Sequence, residues 1–280
     1  MPVILPEDYI QKIITLALAE DIGSGDITAM LIPEEARAEA TVVCREHAVL
    51  CGQPWFDEVF RQLDNGVKVM WDAKEGEDIV PDQVVCRLFG SARSLLTGER
   101  TALNFLQTLS GTATIARQYA ELVKGTEIKI LDTRKTIPGL RRAQKYATVV
   151  GGCHNHRMGL YDAFLIKENH IAACGGITAA VNAARQIAPG KPVEVEVETL
   201  AEYQEAVNAG ADIVMLDNFT PEAVKKAVAA KAPGVKIEIS GNLDEHSLSR
   251  VAIAGVDFLS SGSLTKHCRA IDFSMRFCGG

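Results

Sequence analysis

The 29 residues from Thr133 to Tyr161 contain no aspartate or glutamate. They hold Arg134, Lys135, Arg141, Arg142, Lys145 and Arg157, together with His154 and His156. A local formal charge of +6 sits inside a chain whose total is −7. A guanidinium presents a planar fork to carboxylate or phosphate and an ammonium presents a point charge, so the stretch is predicted to be an anion site. Arg134 and Lys135 fit that role best, because they directly follow an apolar strand. Arg141, Arg142 and Lys145 fit equally well as the solvated basic face of a helix around 141–145. Cys153, His154 and His156 could suggest a metal, but the neighbouring Arg157 disfavours a divalent cation. His156 and Arg157 are expected to donate to an anionic substrate, and His154 to be structural.

Further reactive residues stand at the ends of other apolar runs. Lys167 ends Phe164-Leu165-Ile166 and suits either a Schiff base or another anion clamp. The cations already present favour the clamp. Glu194, Glu196 and Glu198 recur at period two and so share one face of a strand. If the intervening valines face outward, the three carboxylates face inward and need cations or a metal. Asp217 ends the next strand. Carboxylates opposite a phosphate site suit Mg²⁺, a hard ion held by one or two carboxylates plus substrate oxygens. The bland alternative is ion pairing of these carboxylates with Lys135 and Lys167. The last two strands end in Ser240-Gly241-Asn242 and Ser260-Ser261-Gly262-Ser263, followed by Lys266 and His267. Small residues there suit a phosphate cradle.

Positioning such residues requires a particular scaffold. Six apolar strands are predicted at 128–132, 163–167, 193–198, 213–217, 236–240 and 256–260. Helices are predicted between them near 178–188, 200–209, 221–231 and 245–254. Strands without polar alternation imply a parallel sheet buried on both faces. A doubly wound sheet and a barrel both fit, and the barrel is favoured because it gathers every strand C-terminus at one site. Only about 140 residues separate 128 from 268, which calls for an incomplete barrel, since a full one needs about 250. The first third differs. A helix is expected over 7–19, then antiparallel strands at 38–45, 67–71 and 84–89. Gly98 and Gly111 predict two helices, not one, between 94 and 124.

Composition narrows the class. The chain has 280 residues, 47% hydrophobic and 23% charged, which is ordinary globular usage. Net acidity argues against a general nucleic-acid or anionic-membrane binder. Seven cysteines at scattered spacings suggest free thiols in a reducing cytoplasm. No secretory signal and no run long enough to span a membrane are expected.

Nine ordered motifs together resemble the quinolinate phosphoribosyltransferase family over essentially the whole chain. They are Glu20–Thr28, Gly98–Asn104, Asp132–Thr136, Asn155–Arg157, Ile166–His170, Glu194–Glu196, Leu216–Asn218, Ser240–Asn242, and Ser261-Gly262 with Thr265-Lys266. The resemblance implies an α/β fold: an N-terminal α+β domain over 1–108, joined by 271–280, and an open barrel of about seven strands over 109–270. It implies transfer of phosphoribose from 5-phosphoribosyl-1-pyrophosphate to quinolinate with loss of CO₂, using Mg²⁺, in NAD biosynthesis. It implies a homodimer or hexamer in which Arg100 enters the partner's site. By the same pattern Thr133, Arg134, Lys135, His156, Arg157 and Lys167 surround the quinolinate carboxylates. Glu196 and Asp217 take the ribose and the Mg²⁺, directly or through water. Ser240, Gly241, Asn242, Ser261, Gly262, Ser263 and Lys266 take the 5′-phosphate, with His267 a weaker candidate. Lys135, Lys167, Glu196 and Asp217 are the expected catalytic group.

Overall fold

The computed structural model describes residues 5–6, 8–241 and 253–278. Asn242 and most of the helix predicted over 245–254 lie outside the described residues.

The chain divides into two compact units. One comprises residues 2–117, 146–152 and 268–280. It opens with helix α1 (Tyr9–Ile22), strand β1 (Arg37–Cys44) and the short β2 (Ala48–Val49). Helix α2 (Gln53–Leu63), strands β3 (Lys68–Trp71), β4 (Asp78–Ile79) and β5 (Val84–Ser91), and helix α3 (Ala92–Leu122) follow. β1 alternates, with Ala40, Val42 and Cys44 buried between more exposed neighbours, as a one-face-buried antiparallel strand should. It pairs with β5 on one side and with the last strand, Phe273–Phe277, on the other. Helix α2 was not foreseen. Pro54 stands at its start, where a missing N–H costs nothing. Trp55, Phe56, Val59 and Phe60 form its buried face.

α3 is one helix of 31 residues, not the two expected. Its glycines are close-approach positions, not breaks. A Cβ on Gly98 would lie 2.7 Å from the Phe60 ring, and one on Gly111 would lie 1.9 Å from the carbonyl oxygen of Arg269. Gly→Ala inside a helix ordinarily stabilises by about 1 kcal/mol. Here Gly111→Ala is expected to destabilise by about 3 kcal/mol, since backbone blocks the methyl and overpacking costs up to that much. Thermal unfolding would show the reversed sign.

The other unit comprises residues 118–145 and 153–267. Its elements are β6 (Lys129–Leu131), β7 (Phe164–Ile166), α5 (Glu168–Cys174), α6 (Ile177–Ile187), β8 (Val193–Val197), α7 (Leu200–Asn208), β9 (Ile213–Asp217), α8 (Pro221–Ala229), β10 (Lys236–Ser240), β11 (Phe258–Ser260) and α9 (Ser263–Lys266). Helix α4 (Arg141–Val150) starts in this unit and runs into the first. The last strand of the chain, β12, is the Phe273–Phe277 partner of β1.

Six parallel strands follow the order β6-β11-β10-β9-β8-β7. Each later strand sits beside its predecessor, and the first strand lies against the last, which is barrel order left open between β6 and β7. The seventh position is filled only by an isolated bridge from Leu131 to His154. The helices carry sequence-legible starts: Thr199 and Thr220 cap α7 and α8 through their hydroxyls, and Glu202 completes a capping box. Val195, Val214, Leu216, Ile237, Ile239 and Leu259 are buried, so the strands hold their polar ends in fixed positions.

Candidate active site

The strand C-termini of this unit open into a cavity of about 620 Å³. Thr133, Arg134, Lys135, His156, Arg157 and Lys167 are part of its lining. Glu196, Asp217 and Asn218 stand at the ends of β8 and β9, and Ser240, Gly241, Ser260 and Gly262 at the ends of β10 and β11. Leu165 and Met215 supply apolar surface, and Glu238 reaches the lining from within β10.

The cationic stretch divides into three kinds of residue. Arg134, Lys135 and Arg157 face the cavity. Burial and the charge of Arg134 both push the Arg157 guanidinium down. The Arg134 Nε is buried and has no hydrogen-bond partner among the described residues. Arg141 instead donates to Thr136 Oγ1 at 3.2 Å and to the Met158 carbonyl at 3.3 Å, bracing the loop. Lys145 is neither solvated nor in the lining. It is fully buried against Asp132, itself fully buried. Asp132 also accepts from the His156 backbone N–H at 2.9 Å and from Asn155, while Lys145 donates to the His156 carbonyl at 3.0 Å. This buried pair is what places the His156-Arg157 backbone.

The loop after β6 is pinned at both ends. Gln144 accepts from the Ile137 N–H at 2.8 Å and donates to the Thr265 carbonyl at 3.0 Å. Thr265 Oγ1 donates to the Lys135 carbonyl at 2.8 Å. Lys135 then passes directly over Gly262, where a Cβ would lie 2.8 Å from its Cδ. A side chain at 262 would have to displace the Lys135 methylenes.

The glutamates of β8 sit at three depths. Glu194 is buried, Glu196 lines the cavity in contact with Lys167, and Glu198 is exposed beyond the strand end. Three inward carboxylates were expected, and β8 supplies two because it stops at Val197. His156 donates from Nε2 to Glu194 at 2.9 Å, and its Nδ1 accepts the Arg157 N–H at 2.7 Å. Burial disfavours a charged ring, Glu194 favours it, and the net pull is upward. Charging the ring would cost the bond to Arg157.

Asp217 is held from both sides. Its Oδ1 accepts from Ser240 Oγ at 2.8 Å and its Oδ2 from the Asn218 amide at 2.9 Å. Asn218 adopts φ +54°, a conformation that Asn tolerates better than most residues.

Ser261 is buried behind the cavity, where its Oγ accepts from the Ser263 N–H at 3.2 Å. Lys266 and His267 are exposed and outside the lining, as is Arg100, which is exposed on α3 of the other unit. His154 is exposed and serves through its backbone bridge. Sequence reasoning passed over Glu238, because a single glutamate in Lys236-Ile237-Glu238-Ile239-Ser240 looks solvent-facing. The signal available was that both neighbouring isoleucines demand burial too, which a strand covered on both faces provides.

Two family domains match the chain: quinolinate phosphoribosyl transferase, N-terminal domain, over residues 26–110, and the C-terminal domain over residues 112–276. The chain is 41% identical over 267 residues to a probable nicotinate-nucleotide pyrophosphorylase (carboxylating) of Bacillus subtilis, covering 95% of this chain and 92% of that one. It is 37% identical to the human nicotinate-nucleotide pyrophosphorylase (carboxylating), covering 99% and 94%. A solved nicotinate-nucleotide pyrophosphorylase from Francisella tularensis superposes with a TM-score of 0.95 at 46% identity, covering 99% of this chain and 98% of that one. With both family domains matched in order over most of its length, the chain belongs to the quinolinate phosphoribosyltransferase family.

Proposed function

We propose that the cavity transfers phosphoribose from 5-phosphoribosyl-1-pyrophosphate to quinolinate and releases pyrophosphate and CO₂, leaving nicotinate mononucleotide. The observation that carries this reading is one cavity lined by four cations, Arg134, Lys135, Arg157 and Lys167, together with two half-buried carboxylates, Glu196 and Asp217. Arg134, Lys135, Arg157 and Lys167 suit the two carboxylates of quinolinate, with Thr133 and His156 beside them. Ser240, Gly241 and Gly262 suit the 5′-phosphate, with Ser261, Ser263 and Lys266 next along the same loop; Asn242, assigned to the same phosphate, lies outside the described residues. Glu196 and Asp217 suit the ribose.

The chemistry follows from charge. Departure of pyrophosphate leaves the ribose carbon oxocarbenium-like. Asp217 and Glu196 stabilise that positive charge, and the pyridine nitrogen attacks, so no protein nucleophile is required. The product ring is a pyridinium, and its positive nitrogen stabilises the carbanion left at C2 when CO₂ departs. Lys135 and Lys167 are the candidates to return a proton to C2. The chain's share is orientation and fixed electrostatics. Glu196 and Asp217 end adjacent strands and both line the cavity, a hard-oxygen pair that fits Mg²⁺. Mg²⁺ held there would neutralise pyrophosphate as a leaving group.

Incubation with quinolinate, phosphoribosyl pyrophosphate and Mg²⁺ is expected to yield nicotinate mononucleotide and CO₂. Turnover of a different aromatic acid and none of quinolinate would overturn the substrate assignment. We further assign a homodimer, or a hexamer built from dimers, in which Arg100 completes the partner's site. Mixing inactive Arg100→Ala and Lys135→Ala chains should then restore activity through hybrid dimers. Confirmed subunit exchange without recovery would place Arg100 in its own chain's service. No helix among the described residues is long and apolar enough to cross a membrane. The setting assigned is a reducing cytoplasm, on the scattered spacing of the seven cysteines.

A further inference from the structure

Beneath the cavity lie two buried carboxyls and one imidazole. Glu238 is 0% exposed and Glu194 is 3% exposed. Candidate ligand atoms of both, with one from His156, fall within 4.8 Å of one another. One N–H serves the pair: His156 Nε2 lies 2.9 Å from Glu194 Oε2 and 3.6 Å from Glu238 Oε1. Among the described residues neither oxygen of Glu238 has a partner at close hydrogen-bond distance, nor has Glu194 Oε1; besides the imidazole, only the Ser260 hydroxyl stands beside Glu238. Two ionised carboxylates are costly in so dry a space with one imidazole N–H and one hydroxyl to serve them.

We propose that Glu238 is a positioning residue that enters the reaction as a neutral carboxylic acid, so that the two buried carboxyls beneath the cavity are not both charged. The inference rests on the site reading above. The groups facing Glu238 are Glu194 from β8, His156 from the segment after β6 and Ser260 from β11, with Lys145 acting on His156 from α4. None is a lysine or arginine in contact with Glu238, so no fixed cation offsets a second negative charge. Burial and the Glu194 charge push the Glu238 carboxyl up to about 8. The acid acts through its neighbours. It leaves Glu194 and His156 joined by their hydrogen bond, and it spares a dianionic aromatic acid a second carboxylate behind the cations that hold it. A divalent cation bound to the three groups is the rival occupant. The 2.9 Å approach of His156 to Glu194 is already a closed hydrogen bond.

The sign of the stability effect is fixed. With the folded value above the unfolded one, the folded chain holds the extra proton between about pH 4.5 and 8, so stability falls as pH rises across that window. Glu238→Gln mimics the neutral acid and should remove that fall, so its thermal advantage over the native chain should widen from pH 5 to pH 8. Infrared difference spectra between the two chains at pH 7 should show the C=O stretch of a protonated carboxyl in the native protein only. Neither measurement depends on the identity of the substrate, so failure of the site reading leaves them intact. In turnover, Glu238→Ala should lower kcat/KM at least about tenfold, Glu238→Gln should recover most of it, and Gln should flatten the loss of quinolinate affinity at alkaline pH, about tenfold per unit for one linked proton. No protonated-carboxyl band, a Gln variant as inactive as the Ala variant while equally folded, or a stoichiometric divalent cation lost on Glu238→Gln would each overturn the inference.

Discussion

Replacing Lys145 with methionine is expected to cost about 3–5 kcal/mol of stability, the range for removing one partner of a buried ion pair. A typical domain is stable by only about 5–15 kcal/mol, so the variant should unfold about 10 °C early or accumulate poorly. The size of the effect comes from what is left behind. Asp132 would be left fully buried without its ammonium, at the cost of either an unpaired charge or protonation, and burial already pushes its carboxyl up and the Lys145 ammonium down. The His156 carbonyl would also lose its donor. Because Asp132 accepts from the His156 N–H, movement of that carboxylate should carry the His156-Arg157 backbone with it. Quinolinate affinity should therefore fall in the same variant, although Lys145 does not line the cavity. Lys124→Met is the matched control. Lys124 pairs with Glu121 at the surface, and such a pair contributes no more than about 1 kcal/mol. Equal midpoints for the two variants in denaturant would sink the argument.

Lys145 also marks where the sequence stops being legible. Six cations without an acid nearby signal an anion site, and three of them make one. Nothing in 141–145 separates Lys145 from Arg141 or Arg142, because its partner lies 13 residues earlier at a strand end. Gly98 and Gly111 failed for the same reason. Read locally they break a helix, but their partners are Phe60 and Arg269, and tertiary contact overrode propensity. The strand ends were legible because a parallel strand buried on both faces has no polar alternation to blur its boundary. Ile213–Asp217 and Lys236–Ser240 match the expected spans. Glu238 was missed within a strand that was correctly bounded. Period and burial locate a side chain, but they do not say that it faces another carboxylate two strands away.

Asp217→Asn is expected to lower kcat by about 10²–10³-fold, the range for removing one preorganised electrostatic contact from a transition state. The substitution keeps shape and alters only charge. Among the described residues Asp217 makes no ion pair, whereas Glu196 is in direct contact with Lys167. No cationic side chain among the described residues therefore opposes its carboxylate, and Ser240 and Asn218 hold its two oxygens in place. Such a charge does little for a neutral ribose and much for a positive carbon, so the loss should fall on kcat while quinolinate affinity stays within about twofold. Glu196→Gln should cost less, about tenfold, because Lys167 already neutralises part of Glu196 and loses its own partner in the exchange. The order of the two effects is the informative result. If Glu196→Gln proved the more damaging, the Lys167–Glu196 pair would have to open on substrate binding, and Glu196 would be the group that meets the developing charge. If Asp217→Asn weakened quinolinate binding as much as it slowed turnover, Asp217 would belong to the acceptor side of the cavity. Single-turnover rates with saturating substrates, set beside quinolinate titrations of both variants, separate these outcomes.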